Sequence, residues 1–232
     1  MATLLVLGSK PDPELPPESA YDDVACANAS GFSVAQHGLR RPAYTVISAI
    51  LTSGIGSGRQ SLNALQGLST EALYYFPRPR KRRKPLKRIM ETALDFRTSA
   101  FYFRRQLRKA NYTWHRFVRQ DNAWYQGLVA RLCEGNEGLL RQLREKSPST
   151  GIMALVVGMS LGEYDRFIIS GFSFELTHSY AANPEIDERG TKISRHTPTD
   201  VRVLRHLSKA CGNIFTTEQT VHEKTGIPLL SL

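Results

Sequence analysis

The stretch that decides the fold is 149–207. It begins with STGIMALVVGMSLG (149–162), continues with RFIISGF (166–172) and reaches RHTPTD (195–200), at the start of a helix predicted over Pro198–Cys211. A small polar turn leads into an apolar helix, a short apolar strand follows, and a histidine precedes the next helix. This order is typical of a domain in which short buried strands alternate with helices.

Three further apolar runs lie towards the N-terminus and predict buried strands. They are Leu4–Leu7, which ends at Gly8, Asp23–Asn28, which ends on a polar tip, and Ala43–Leu51. The glycine-rich 54–58 lacks the lysine and threonine of a Walker pattern, so it predicts a flexible loop. The predicted fold class is α/β, a single Rossmann-like domain with a mostly parallel sheet flanked by helices.

The middle of the chain predicts helices instead. Apolar or aromatic residues recur at steps of three and four through Ile89–Arg119, and Asn122–Leu143 continues in the same style. We therefore expect 1–70 and 146–232 to form the Rossmann-like domain. The remaining part, 71–145, is expected to form a basic, aromatic-rich helical insertion.

The net charge of +10 is concentrated in this middle part. Arg78–Arg119 holds fifteen lysines and arginines and two acids, a net charge of +13, which leaves the rest of the chain slightly acidic. Basic residues flanked by aromatic ones suit docking on an anionic lipid surface or contact with an acceptor. The alternatives are a solvated charged face and a nucleic-acid-binding segment. The candidate residues are Arg80, Lys81, Arg82, Arg83 and Lys84.

Cysteine usage and hydropathy bear on the compartment. Cys26, Cys133 and Cys211 have neither disulfide nor metal spacing, which is typical of a reducing environment. The N-terminal apolar run is too short for a signal peptide, and no run approaches the roughly 20 residues that cross a bilayer. We expect a cytoplasmic protein, peripheral at the inner membrane face if the basic segment docks there. No histidine pair has zinc-ligand spacing, so no metal is expected.

His196 is the strongest candidate for chemistry. We expect Thr197 to cap the following helix, with Pro198 as its first residue and Asp200 as the acid of its first turn. The positive helix end and the neighbouring Arg195 disfavour the imidazolium, so the ring is neutral and able to accept a proton. The plain alternative is a surface histidine in a capping region.

Other candidates lie at turns and strand ends. Thr150 and Gly151 precede a helix, where free N–H groups favour a phosphate or carboxylate, although Thr150 also suits a structural N-cap. Asn28 can offer its amide donor and acceptor to a ligand, or simply form a turn. Ligands of parallel sheets bind at the carboxyl ends of strands, where Gly8, Asn28 and Gly171 are expected.

These elements resemble, in order and spacing, the bacterial sialyltransferases of glycosyltransferase family 42. That family has an [ST]-[ST]-G turn, a strand ending in Ser-Gly, a Ser-Tyr pair and a His-x-x-x-Thr-Asp element. The matching residues here are Ser149–Gly151, Ser170-Gly171, Ser179-Tyr180 and, with one residue fewer after the histidine, His196–Asp200. Asn28 matches an asparagine that the family places near the nucleotide, where its amide donor and acceptor would read a cytosine edge. The resemblance also implies that the Rossmann-like domain is a GT-A-like variant. The resemblance is clear over 149–207 and fainter near the N-terminus.

The resemblance implies an inverting, metal-independent glycosyltransferase without a cofactor. It would move sialic acid or a related acidic keto-sugar from a CMP donor to a hydroxyl of a glycan or lipid-linked glycan. His196 would be the general base, and Tyr180 would donate a hydrogen bond to the departing phosphate. The donor site would comprise Gly8, Ser9, Asn28, Thr150, Gly151, Gly171, Ser173 and Glu175.

Three positions depart from the family pattern and keep other functions open. Glu175 stands where the family has a second phosphate-directed tyrosine, Ser173 replaces an acid, and Ser9 replaces an asparagine. An ionised Glu175 cannot donate to a phosphate, so a transferase-like binding module without catalysis is one alternative. A nucleic-acid-binding protein is another, which the absence of a recognised binding motif disfavours. A homo-oligomer is compatible with the sequence.

Overall fold

Seven strands form one sheet in the computed structural model, which describes residues 1–52, 58–77, 95–132, 135–175 and 193–230. They are β1 (Thr3–Leu7), β2 (Asp23–Ala27), β3 (Tyr44–Ser48), β4 (Ser69–Phe76), β5 (Thr113–Arg119), β6 (Arg166–Ser170) and β7 (Ile214–Thr216). The spatial order is β5-β4-β3-β2-β1-β6-β7. Every neighbouring pair is parallel, so the predicted α/β class is confirmed and the described sheet is wholly rather than mostly parallel.

Helices connect the strands and cover both faces of the sheet. Those of the described residues are α1 (Gly31–Gln36), α2 (Gly58–Ala64), α3 (Ala100–Lys109), α4 (Asn122–Leu132), α5 (Glu137–Glu145), α6 (Thr150–Leu161), α7 (Thr197–Cys211) and α8 (Gln219–Thr225). Short 3₁₀ turns occupy Glu18–Ala20 and Ala49–Thr52. None of the helices in the described part of the chain has the length and hydropathy needed to span a membrane.

The core follows from strands that are apolar on both faces. Successive side chains of a strand point to opposite faces, so Leu4 and Val6 pack under α6, while Leu5 and Leu7 pack on the opposite face near α1. Helix α6 is apolar all round and lies against the centre of the sheet. Its close approach requires Gly158, because a Cβ there would come within 2.5 Å of the Tyr44 hydroxyl.

The prediction for the middle of the chain is wrong at two strands. Ser69–Phe76 and Thr113–Arg119 are the outer strands β4 and β5 of the sheet, so 71–145 is not wholly helical. Residues 72–76 are buried on both faces of the sheet, which is the pattern of a central strand. Strand β5 pairs in parallel with β4 at the edge of the sheet, and its side chains Trp114, Phe117 and Val118 are only partly buried. The helix predicted over Ile89–Arg119 is α3 in its described part, ending at Lys109. The candidates Arg80–Lys84 lie outside the described residues.

The strand order changes direction between β1 and β6. From β1 the chain adds β2, β3, β4 and β5 outward on one side, then returns to place β6 on the other side of β1. At such a switch point the following connections leave in opposite directions and open a crevice at the carboxyl ends of the strands. The residues that follow β1 and β6 are Gly8 and Gly171, both predicted site residues.

Candidate active site

The loops after β1 and β6 touch at the switch point. The Gly8 amide donates to the Ser170 carbonyl at 2.8 Å, and the Lys10 amide donates to the Gly171 carbonyl at 2.9 Å. A Cβ on Gly8 would lie 2.3 Å from the Gly171 carbonyl oxygen, so any larger residue would force these loops apart. Gly171 itself has a φ of +73°, a conformation that other residues rarely adopt.

The buried carboxylate of Glu218 contacts both of these loops. Glu218, which follows β7, accepts hydrogen bonds from the amides of Gly171 at 2.9 Å and Glu14 at 3.2 Å. It also pairs with the ammonium of Lys10. Burial opposes the charge on Lys10, but the hydrogen bonds and charges of Glu218 and Glu14 raise its pKa overall. Sequence reasoning missed Glu218, although a polar residue just after a strand is the signal that singled out Asn28.

The N-terminus of α6 forms the next wall. Ser149 occupies the cap position without a side-chain bond, and Thr150 is the first helical residue, so the structural N-cap interpretation of Thr150 is wrong by one position. Thr150 and Gly151 line the cleft at the switch point. The first N–H groups of a helix have no acceptor within the helix, so this end of α6 suits an anion. Gly151 is required there, because a Cβ would meet the Phe172 ring at 2.8 Å.

Asn28 lies where β2 ends, in the left-handed conformation with a φ of +53°. Its amide N–H donates to the Val46 carbonyl at 2.8 Å, and its side-chain Oδ1 accepts from the Ser48 amide at 3.0 Å. The turn role is therefore real. Because Oδ1 is already engaged by Ser48, the side-chain NH2 is the stronger remaining group for a ligand. The pairing of its donor and acceptor with a cytosine edge stays a prediction.

Every described residue predicted for the donor site lines one cleft at this edge of the sheet. The cleft also includes residues that the sequence did not single out, such as Phe174, Ser194 and Asp200. Ser173 accepts from the Glu175 amide at 3.3 Å through its hydroxyl, and Glu175 is exposed at the rim. The predicted members found together are Gly8, Ser9, Asn28, Thr150, Gly151, Gly171, Ser173 and Glu175. Tyr180 lies outside the described residues.

His196 lies in an adjoining cleft that shares Asn28, Ser149 and Thr150 with the first. Its Nδ1 is 2.9 Å from the Ser147 carbonyl oxygen. A carbonyl only accepts, so Nδ1 carries the hydrogen and Nε2 of the neutral ring keeps its lone pair. Burial lowers the pKa of His196, and the charges of Arg195 and Lys146 lower it further, against the hydrogen bond to Ser147.

The start of α7 differs in one detail from the prediction. The helix begins at Thr197, and His196 itself occupies the cap position. The Thr197 hydroxyl does not cap the helix; it donates to the Phe174 carbonyl at 2.6 Å. This bond ties the start of α7 to the segment after β6, where Phe174 has a φ of +58°. The bond between Thr197 and Phe174 fixes the position of His196 relative to the cleft at the switch point.

Asp200 joins the two helix ends of the site. Its side chain is buried and accepts from the Ser149 amide at 2.8 Å, so a residue of α7 holds the N-terminus of α6. Burial raises its pKa to about 7, although the hydrogen bonds from Ser149 and the charge of Lys146 act in the opposite direction. In the described ranges, no three His, Cys, Asp or Glu side chains converge in a way that would hold a metal ion.

Comparison with known proteins finds likeness in structure rather than in sequence. No protein-family model and no curated protein sequence matches the chain. The sialyltransferase CstII from Campylobacter jejuni, solved with cytidine-5'-monophosphate, matches with a TM-score of 0.53 at 13% identity, over 100% of this chain and 86% of that one. CstII with the substrate analogue CMP-3FNeuAc matches with a TM-score of 0.52 at 12% identity, over 99% and 86%.

A second protein of the same organism, the monofunctional α-2,3-sialyltransferase Cst-I, has a TM-score of 0.51 at 12% identity, over 99% of this chain and 80% of that one. The predicted resemblance to family 42 sialyltransferases is therefore confirmed at the level of the fold, across the whole chain. At sequence identities this low, the likeness shows a shared backbone fold. The chemistry of this chain has to be argued from the residues of its own site.

Proposed function

We propose that the protein is a glycosyltransferase that moves an acidic keto-sugar from a CMP donor to a hydroxyl of a glycan acceptor. The observation that carries the proposal is the imidazole of His196, which its surroundings keep neutral and which lines a cleft adjoining the one at the switch point. The solved structures with the same fold include complexes with CMP and with a CMP-sugar analogue. We take the sheet to be a GT-A-like nucleotide-sugar domain.

The donor would lie across the switch point. Its phosphate suits the N–H groups at the start of α6, near Thr150 and Gly151, where the helix dipole favours an anion. The NH2 group of Asn28 is available to the nucleotide from the opposite wall. Arg195 lines the cleft with His196, so its positive charge is available to an acidic sugar.

In the reaction, Nε2 of His196 accepts the proton of the acceptor hydroxyl as its oxygen attacks the anomeric carbon. The bond from that carbon to the phosphate oxygen breaks, and CMP leaves with the electron pair. Attack opposite to the leaving group inverts the anomeric configuration, and the imidazolium then returns its proton to solvent. Tyr180 remains our candidate for the donor of a hydrogen bond to the phosphate, and the step as drawn uses no metal or cofactor.

A second candidate function is a binding module with this fold and without catalysis. Glu175 is exposed at the rim of the donor cleft, at the position where the family has a phenol that donates to the phosphate. Its carboxylate would repel that phosphate. Such a module would still bind CMP, so nucleotide binding and turnover must be measured separately.

Thermal unfolding with CMP, UMP and ADP tests the nucleotide site first. At a hundredfold excess over its Kd, CMP should stabilise the fold by about 2.7 kcal/mol, which raises the Tm of a chain of this size by about 5–10 °C. UMP carries a hydrogen on N3, where cytosine has a lone pair that can accept from the Asn28 NH2 group, so UMP should give a much smaller shift. Equal shifts for the three nucleotides, or none, would remove the donor assignment. A screen of CMP-sugars, scored by released CMP, then identifies the sugar.

A further inference from the structure

A second charged surface lies on the outer edge of the sheet, away from the candidate active site. Helix α3 presents a shallow groove lined by Phe101, Arg104, Arg105, Arg108 and Lys109, which we call the α3 basic face. Strand β5 runs beside it as the outermost strand of the described sheet. None of these residues takes part in the proposed transferase site.

The α3 basic face belongs to a strongly positive stretch of the chain. Between Asp95 and Arg119 the chain has seven lysines and arginines and that one acid. In the part of the chain that the structure describes, no carboxylate forms an ion pair with the basic side chains of the α3 basic face. Four positive charges on one short helix create a strong positive potential.

Two of the arginines are held in place by aromatic rings of β5. The guanidinium of Arg104 lies 5.3 Å from the centre of the Phe117 ring, and that of Arg108 lies 6.0 Å from the Trp114 ring. Stacking of this kind fixes the planar guanidinium without using its hydrogen-bond donors. Those donors are consequently available to phosphate groups.

Exposed phenylalanines accompany the charges. Phe101 is 69% exposed and Phe96 is 56% exposed, a large apolar area for residues that belong in a core. The Tyr75 hydroxyl donates to the Thr98 carbonyl, so α3 begins near the carboxyl end of β4, at the same end of the sheet as the candidate active site. Both phenylalanines therefore lie beside the start of α3.

This combination suits a bilayer better than a nucleic acid. Single-stranded nucleic acids stack their bases on open aromatic faces, but Trp114 and Phe117 are half-buried and carry arginines on their rings. Exposed phenylalanine beside arginine and lysine is the composition of helices that insert shallowly among anionic headgroups. The phenylalanines would enter the interface while the basic residues contact lipid phosphates.

We propose that the α3 basic face, with Phe96 and Phe101, docks the protein on an anionic phospholipid bilayer. Docking would turn the carboxyl end of the sheet towards the membrane. The proposal is independent of the transferase chemistry, because it concerns a different surface and is tested by binding alone. It also assigns docking to residues other than the Arg80–Lys84 cluster, which stays intact in the variants below.

Sedimentation of the full chain with vesicles tests the proposal. The protein should bind vesicles of phosphatidylcholine with phosphatidylglycerol, bind vesicles of phosphatidylcholine alone only weakly, and lose binding as salt rises. The double variant Arg105→Gln, Lys109→Gln should bind the anionic vesicles about 30-fold more weakly, since each basic residue near the surface contributes roughly a factor of five. Both side chains are exposed, so the fold should be unaffected.

Matched controls separate a docking face from general charge. Arg141→Gln with Arg144→Gln removes the same charge from exposed positions of α5 and should change binding less than about threefold. Phe101→Ser should weaken binding, whereas Leu229→Ser, at another exposed apolar residue, should not. Equal losses in the two charge variants would overturn the proposal. So would equal binding to neutral vesicles, or a short single-stranded DNA that binds more tightly than the vesicles and loses affinity in the α3 variant.

Discussion

At the residue scale, the candidate base owes its properties to one hydrogen bond and to burial. The Ser147 carbonyl fixes the hydrogen of His196 on Nδ1, and partial burial beside Arg195 lowers the pKa of the ring. At neutral pH the ring is therefore uncharged, with its free lone pair on Nε2. Activity that depends on this base should persist at pH values below the ordinary pKa of histidine.

Asp200 titrates in the same region of the molecule and gives a test of the site's construction. The pKa of Asp200 is about 7 in the folded state, against an ordinary value of 3.8, so between these values the folded chain holds a proton that the unfolded chain has lost. Folding stability from this group is therefore complete below about pH 4 and is lost as the pH rises towards 7. The ionised carboxylate of Asp200 is therefore the form that burial destabilises.

Replacing Asp200 with Asn should remove that dependence. The Asn side-chain oxygen can still accept from the Ser149 amide, but it never becomes a buried charge. We expect the wild type to lose about 2–3 kcal/mol relative to Asp200→Asn between pH 5 and pH 8, which corresponds to about 5–10 °C in Tm. Thermal melts across this range measure it.

Asp121→Asn serves as the reference. Asp121 also accepts a backbone N–H at 2.8 Å, from Trp124, but it is exposed. If the wild type and Asp200→Asn keep a constant difference in Tm from pH 5 to pH 8, Asp200 is not a strained carboxylate and this description of the site is wrong.

Sequence reasoning reached some of these residues and not others, for a physical reason. His196 was accessible because local signals, a proline and an acid in the next turn, mark a helix start. The role of Asp200 was not, because its partner Ser149 lies 51 residues away and only folding brings them together. Glu218 and Gly171 are likewise 47 residues apart.

At the element scale, the crevice depends on hydrogen bonds that join the loops after β1 and β6 to the loop after β7. Glu218, after β7, accepts from the amides of Gly171, after β6, and of Glu14, after β1, and pairs with Lys10. The loops that form the wall of the donor cleft thus share one buried carboxylate. Removing it leaves the buried amide of Gly171 and the partly buried amide of Glu14 without their acceptor, and leaves Lys10 only its exposed pair with Glu14. This costs more than losing an exposed ion pair.

Glu218→Ala should lower the free energy of unfolding by about 2–3 kcal/mol and weaken CMP binding more than it lowers kcat. The affinity falls because Gly171 loses the bond that holds its amide in the cleft wall, while His196 on α7 is untouched. Urea unfolding and CMP titration measure the two effects. Glu218→Gln should recover part of the affinity, since its oxygen can accept from Gly171.

Glu223→Ala provides the matched control on the neighbouring helix. Glu223 is exposed and contacts Gln219, so its loss should change stability by less than about 0.5 kcal/mol. Equal effects of the two alanine variants on unfolding, or an unchanged Kd for CMP in Glu218→Ala, would show that the carboxylate does not organise the cleft.

Strands and helices whose sequence is uniformly apolar could be predicted, whereas strands that mix aromatic and basic residues could not. The apolar runs of β1, β2, β3 and β6 and the uniformly apolar α6 were identified because nothing else satisfies such runs. Strand β4 was missed since its aromatic end, Tyr74–Phe76, leads directly into the basic cluster and suggested an exposed aromatic segment; these side chains are buried. Strand β5 was missed because an edge strand carries arginines.

At the scale of the whole molecule, the topology of the sheet brings the candidate site residues together. A parallel sheet that reverses its order between β1 and β6 opens one crevice at the carboxyl end. The residues that follow β1, β2 and β6, together with the starts of α6 and α7, line two adjoining clefts there. The parallel sheet and its ligand-facing edge followed from the sequence, whereas the strand order required the structure.

The same topology separates the two proposed activities. The crevice is at the centre of the sheet, and the α3 basic face is at the edge beside β5. Variants of Arg105 and Lys109 should therefore leave turnover of a water-soluble acceptor unchanged within about twofold. A loss of turnover with soluble acceptor in those variants would indicate that the face belongs to the acceptor site instead.

The most direct test of the central claim is release of CMP from CMP-sugars with a glycan acceptor present, compared among the wild type, His196→Ala and His206→Ala. We predict that His196→Ala lowers kcat by two or more orders of magnitude and leaves the Kd for CMP within about threefold, because a general base contributes to the chemical step. His206, on the same helix α7, should be dispensable. Turnover by His196→Ala within tenfold of the wild type, or no CMP release by a wild type that binds CMP, would contradict the account.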